Sequence, residues 1–219
     1  MTAPKVFVLN GWAASGSAWS LCRFERERVF SYVEQLDGRP EEAIADESDI
    51  VLVGWSMGGS SALRLALRWP SKIRALVLIA ATPRMMQDVA TGWRGMSERR
   101  LAALKKGLLM TGGGGLFGPP EGKPDPYIAD DEANLDRGLE YLVSTDLRQS
   151  LMASDALRRK GGCVRIFQSD RDGIVRPENA SFLGKVFPGA KVEMVPGAEH
   201  ALPIFIPESI DKAVKEVST

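Results

Sequence analysis

The chain has 219 residues, 44% hydrophobic and 26% charged, and its 28 basic and 28 acidic side chains cancel. That length suits one α/β domain with a sizeable core, and the charge balance gives no general attraction to nucleic acid or to an anionic membrane. No run approaches the roughly 18 apolar residues of a membrane helix, and the start, Met1-Thr-Ala-Pro-Lys-Val-Phe-Val-Leu-Asn10, lacks the pattern of a signal peptide.

Short apolar runs alternate with helical patterns along the chain. Lys5–Leu9 reads as a strand, followed by a loop, Asn10-Gly-Trp-Ala-Ala-Ser-Gly-Ser-Ala-Trp19, with glycines at 11 and 16. Cys22 and, far along the chain, Cys163 form no metal or redox spacing, so they read as reduced thiols of a cytoplasmic protein. Val29–Leu36 is a weaker strand candidate, and Asp49–Val53 is a strong one. Helical spacing then runs from Met57 to Trp69, where Pro70 stops it. Ile73–Ile79 is almost wholly apolar, as suits a parallel strand covered on both faces. Cys163–Phe167 and Lys191–Val195 are two further strands, and 207–217 carries a helical stripe. Strand–helix alternation of this kind predicts a doubly wound, mostly parallel sheet.

Residues 82–150 break the rhythm. They are helical or irregular and contain Thr111-Gly-Gly-Gly-Gly-Leu-Phe-Gly-Pro-Pro120, a hinge-like stretch. An insertion of this length between two strands reads as a cap over a site, with 1–81 and 151–219 forming the core. Its first part is basic (Arg84, Arg94, Arg99, Arg100, Lys105 and Lys106 against Asp88 and Glu98), and 119–136 is acidic. This is either two solvated surfaces or an anion-binding face.

The chemistry concentrates in Gly54-Trp-Ser-Met-Gly58, which fits G-x-S-x-G between a strand and a helix. In that context the motif is a sharp turn that exposes the hydroxyl of Ser56 as a nucleophile. A serine needs a base, and the chain has one histidine, His200, on a loop after the last predicted strand. The histidine needs an acid. Ser169-Asp-Arg-Asp-Gly-Ile-Val-Arg-Pro177 offers Asp170 and Asp172; the turn Asp-Gly-Ile-Val favours Asp172, leaving Asp170 as a turn or capping residue. An oxyanion hole would take the backbone N–H of Met57, next to the nucleophile, and that of Trp12 in the loop after the first strand. The order Ser–Asp–His is that of α/β-hydrolases, and neither metal nor cofactor is called for.

These residues together resemble the α/β-hydrolase superfamily, and within it the pimeloyl-ACP methyl ester esterases (BioH type) of biotin synthesis. The resemblance is carried by Gly11-Trp12, Gly54-Trp-Ser-Met-Gly-Gly59, Arg74-Ala-Leu-Val-Leu-Ile-Ala-Ala-Thr-Pro83, Gly92-Trp-Arg-Gly95, Gly138-Leu-Glu-Tyr-Leu-Val-Ser-Thr-Asp-Leu-Arg148, Asp172-Gly-Ile-Val175 and Ala198-Glu-His-Ala201. It covers most of the chain from Val6 onward. Three features depart from the family. Asn10 stands where the family usually carries histidine, the N-terminal strand pair is absent, and the segment from Leu36 to Asp49 is short enough to reduce one covering helix. The expected fold is thus an N-terminally trimmed α/β-hydrolase with a helical cap.

The resemblance implies a carboxylesterase acting on the methyl ester of a pimeloyl chain carried by acyl carrier protein. Arg94, Arg99 and Arg100 would then steer the acidic carrier, and Trp55 and Trp93 would narrow an apolar acyl channel; both tryptophans are equally compatible with plain packing. A short-chain carboxylesterase, a thioesterase or a relative of the menaquinone-pathway C–C lyase would use the same triad. A catalytically silent binding module is the alternative of another class.

Overall fold

A computed structural model describes residues 3–111, 122–128 and 130–219. Six strands, β1 (Lys5–Leu9), β2 (Arg28–Phe30), β3 (Ile50–Trp55), β4 (Ile73–Ile79), β5 (Val164–Ser169) and β6 (Lys191–Val195), form one sheet in the order β2-β1-β3-β4-β5-β6. Every neighbouring pair is parallel. The helices in chain order are α1 (Tyr32–Leu36), α2 (Arg39–Ile44), α3 (Met57–Arg68), α4 (Glu98–Thr111), α5 (Glu132–Ser144), α6 (Arg148–Ala153), α7 (Asp155–Arg158), α8 (Glu178–Val186), α9 (Leu202–Phe205) and α10 (Pro207–Ser218).

The inner strands β1, β3 and β4 are mainly apolar because both faces of the sheet are covered there, whereas the edge strand β6 is largely exposed. On one face Val6, Val8, Val51, Val53, Val77 and Ile79 pack on Ile210, Val214 and Val217 of α10. On the other, Phe7, Leu9, Leu52, Leu76 and Leu78 pack on Leu63 and Leu65 of α3 and Leu183 of α8. Two thiols mark contrasting places: Cys22 is buried, its Sγ 3.9 Å from the Pro203 carbonyl, while Cys163 is exposed. Burial pushes the Cys22 thiol up to about 12.

One expectation needs correction. The strand sought at Val29–Leu36 ends at Phe30, because Ser31 caps α1: its hydroxyl accepts from the Glu34 N–H while the Glu34 carboxylate accepts from the Ser31 N–H. This S-x-x-E box outweighs the β-branched residues around it. The segment between 36 and 49 carries the expected reduced helix, α2, of 6 residues. The crossover from β1 to β2 is shorter still and carries a 3₁₀ turn at Gly16–Trp19. An open groove of about 970 Å³ lies there, between 23–27 and α10.

The segment 82–150 lays α4 and α5 across the ends of the strands. Leu101, Leu108, Leu135, Leu142, Met85, Met86 and Met96 form a third cluster with Met57 of α3 and with Trp12, Ile174 and Val175 of the loops beneath. Leu147 and Leu151 pack in the sheet core instead, so the segment rejoins the core just before α6. The glycine-rich run after Thr111 lies outside the described residues.

Candidate active site

Ser56 sits between β3 and α3 with φ 56° and ψ −118°, a left-handed conformation costly for a residue with a Cβ. The surroundings enforce it. Its N–H donates to Ile79 O at 2.9 Å, its carbonyl accepts from Gly59 N–H at 2.9 Å, and a Cβ on Gly58 would overlap the Leu9 carbonyl. The tight turn therefore follows from glycine at 58 and from pairing to β4.

His200 follows β6, and Asp172 follows β5. The histidine Nε2 lies 2.8 Å from Ser56 Oγ, and its Nδ1 lies 2.8 Å from Asp172 Oδ2. Asp172 Oδ1 accepts from the N–H groups of Ile174 and Val175 at 2.8 and 2.9 Å, and Gln168 Nε2 lies 3.2 Å from Oδ2. All three predicted side chains are buried and joined in one line. Asp170 does not join them: its Oδ1 accepts from Gly197 N–H at 2.8 Å and ties the acid loop to the histidine loop. Ser169 reinforces that tie, its hydroxyl donating to Ala198 O.

The loop after β1 closes on the serine from the other side. Gly11 lies so near that a Cβ there would stand 3.3 Å from the Ser56 Cβ. Asn10, in the family's histidine position, organises the loop: its Oδ1 accepts from Trp19 Nε1 at 2.6 Å and its Nδ2 donates to Ser15 O at 3.0 Å. Trp12 borders the cavity beside Ser56, its indole anchored by Nε1 to Leu135 O of α5 at 3.1 Å. Met57 opens α3, so its N–H is one of the donors that a helix start leaves without an intrahelical acceptor.

A cavity of about 20 Å³, room for roughly one water molecule, lies over Ser56 and His200. Its walls are Trp12, Met85, Leu104, Leu108, Tyr127, Leu142 and Ile174. Tyr127 was not foreseen from the sequence. It arrives on a strap that pairs with the loop after β1 (Ser15 N–H to Pro126 O, 2.8 Å; Ile128 N–H to Ala13 O, 2.9 Å), and burial pushes its phenol far above the usual range. Gln168 was also missed, because no motif marks it.

The expected channel residues lie elsewhere. Trp55 is fully buried beneath the histidine, its Nε1 donating to His200 O at 3.0 Å and its ring 5.7 Å from the imidazole. It packs in the core on the α10 face of the sheet and does not line the cavity. Trp93 packs edge-on against Phe182 and beneath the Arg148 guanidinium, away from the serine. Arg94 is exposed and 3.3 Å from Glu178 Oε1; Arg99 borders an open groove with Val89 and Val143. Arg100 Nη2 donates to Gly173 O at 2.8 Å, bracing α4 against the acid loop. None of these three arginines lines the cavity over Ser56.

Residues 6–211 match the profile of the alpha/beta hydrolase family. The chain is 26% identical to the pimeloyl-[acyl-carrier protein] methyl ester esterase of Nitrosospira multiformis, over 90% of this chain and 88% of that one. It is 27% identical to the enzyme of the same name from Nitrosomonas europaea, over 94% and 92%. Among solved structures, an esterase from Exiguobacterium antarcticum superposes with a TM-score of 0.74 at 18% identity, covering 100% of this chain and 94% of that one. An enol-lactonase from Burkholderia xenovorans gives 0.69 at 18%, covering 99% and 92%; at such identity these two likenesses speak for the fold alone. With a parallel sheet, a serine on the strand–helix turn and a family match across nearly its whole length, this chain belongs to the alpha/beta hydrolase family.

Proposed function

We propose that the chain is a serine carboxylesterase whose favoured substrate is the methyl ester of pimeloyl-ACP. The observation that carries the esterase reading is the continuous line Ser56 Oγ–His200 Nε2 and His200 Nδ1–Asp172 Oδ2, each step 2.8 Å. His200 takes the Ser56 proton as Oγ attacks the ester carbonyl. The oxyanion that forms is met by the N–H groups of Met57 and Trp12, aided by the positive end of α3. As the tetrahedral intermediate collapses, His200 gives its proton to the departing methoxide, methanol leaves, and an acyl-Ser56 ester remains. Water, deprotonated by His200, then attacks that ester and releases the free acid and Ser56. Asp172 keeps the imidazole in the tautomer that presents Nε2 to the serine and stabilises the imidazolium.

The choice of substrate draws on the relatives from Nitrosospira multiformis and Nitrosomonas europaea and on the apolar walls of the cavity, which suit the methylene chain of an acyl group. An acyl carrier protein would be drawn to the exposed Arg94 and Arg99. One observation favours a second reading, a short-chain carboxylesterase: a cavity of about 20 Å³ holds an acetyl group more readily than a seven-carbon chain unless α4 shifts. The deciding experiment compares purified protein on pimeloyl-ACP methyl ester and on p-nitrophenyl acetate, with Ser56→Ala as control. Faster cleavage of the carrier ester supports the first reading. Turnover of the small ester alone leaves the triad and moves the substrate to the second reading. No turnover of either, with the protein folded, overturns both in favour of a silent binding module.

A further inference from the structure

Gln168 lies in β5, one turn of the chain before the acid loop, and is buried. Its Nε2 lies 3.2 Å from Asp172 Oδ2, 3.0 Å from Val175 O and 3.4 Å from Ser169 O. Three acceptors around one nitrogen fix which way the amide faces, since turning it over would set Oε1 against a carboxylate and two carbonyls. The carboxylate oxygen it meets is the same one that meets His200 Nδ1. Two backbone N–H groups hold Asp172 Oδ1, and Gln168 shares Oδ2 with the histidine.

We propose that Gln168 is a positioning residue for the reaction: it holds Asp172 Oδ2 in line with His200 Nδ1 and moderates how strongly that oxygen draws on the histidine N–H. The inference rests on the triad reading above. A carboxylate oxygen that accepts two hydrogen bonds gives each less than it would give one alone. The amide also spans the loop by reaching Val175 O, so Oδ2 has no freedom to swing away from the imidazole. The two residues that follow complete the grip, with Ser169 and Asp170 fastening the loop that carries His200. The run Gln168-Ser169-Asp170 thereby holds the acid on one side and the base on the other.

The chain has a single histidine, so the proton resonance of its Nδ1–H in an NMR spectrum belongs to His200 without ambiguity. Gln168→Met keeps the length of the side chain and removes its donors. The expected result is a downfield move of the His200 Nδ1–H resonance, with kcat on p-nitrophenyl acetate falling about tenfold, the scale of one hydrogen bond to a charged group, and KM unchanged. A folded Gln168→Met protein whose resonance stays in place overturns the proposal, whatever its rate, because a purely structural role would cost rate or stability without moving that proton. If this variant does not fold, the wild-type protein decides: the Gln168 side-chain amide signal is expected to be protected from exchange and to shift as the single histidine is protonated. A freely exchanging, unresponsive amide overturns the proposal. Neither resonance needs turnover, so failure of the esterase reading, seen as no hydrolysis by wild type, is distinguishable from failure of this one.

Discussion

The floor and the roof of the cavity are built by different rules. The floor is Ser56 and His200, with Asp172 behind the histidine; each of the three follows the C-terminal end of a strand and is fastened by backbone hydrogen bonds within a few residues of itself. The roof is Met85, Leu104, Leu108 and Leu142, drawn from residues far apart in the chain and held by packing. Ion pairs secure its margins: Lys105 of α4 meets Glu132 and Asp136 of α5 at 2.9 and 2.6 Å, and Arg148 meets Asp88 and Asp146 at 2.8 Å each. The floor is specified by local backbone geometry, so it is intolerant of change. The roof is specified by summed apolar contact, so it can vary without loss of the fold, and substrate choice can drift there.

Four substitutions test that contrast, beginning with the largest effect. Ser56→Ala should lower kcat by about 10⁵-fold, the scale on which a triad nucleophile is lost, with the melting temperature held; p-nitrophenyl acetate turnover beside a thermal melt checks it. Gly58→Ala sets a methyl group against the Leu9 carbonyl and should cost 3 kcal/mol or more, roughly the upper range for overpacking, read as loss of soluble protein or of cooperative urea unfolding. Leu108→Ala, in the roof, should cost about 2–3 kcal/mol yet leave turnover of the acetate ester standing. It should raise the ratio of hexanoate to acetate cleavage, since it enlarges the cavity. An unchanged ratio would mean that α4 does not limit the acyl chain.

The smallest effect concerns the roof's margin. Arg148 beside Asp146, with Arg84 on its other side, lowers the Asp146 carboxyl to about 2. A carboxyl held below its unfolded value near 3.9 stabilises the fold at pH above that value. The contribution is lost as pH falls through about 2. Asp146→Asn should therefore lower the melting temperature at neutral pH, by the equivalent of 1 kcal/mol or less, roughly, once solvent screening is allowed for at a side chain 31% exposed. The gap between the two proteins should close between pH 4 and pH 2.

The same contrast explains what the sequence discloses. The four inner strands are visible as mainly apolar runs because a parallel strand covered on both faces has little alternation to hide it. Ser56 and His200 stand out by motif and by being the sole histidine, and Asp172 by the turn that follows it. Trp55 and Trp93 mislead because a large aromatic beside a nucleophile or in a cap looks the same on paper whether it faces a cavity or the core. Tyr127 and Gln168 escape notice for the opposite reason. One is brought in by a strap paired with a distant loop, and the other by a strand residue whose role exists only once the acid loop has closed over it.

The two thiols give the molecule a built-in clock. Cys163 stands in the open, while Cys22 lies beneath the short helix that follows His200, its ionisation suppressed by burial. Only the thiolate attacks an alkylating reagent. Counting one labelled sulfur per native chain, and timing the arrival of the second, would therefore measure how often the edge bearing His200 comes undone while the rest of the sheet stays whole.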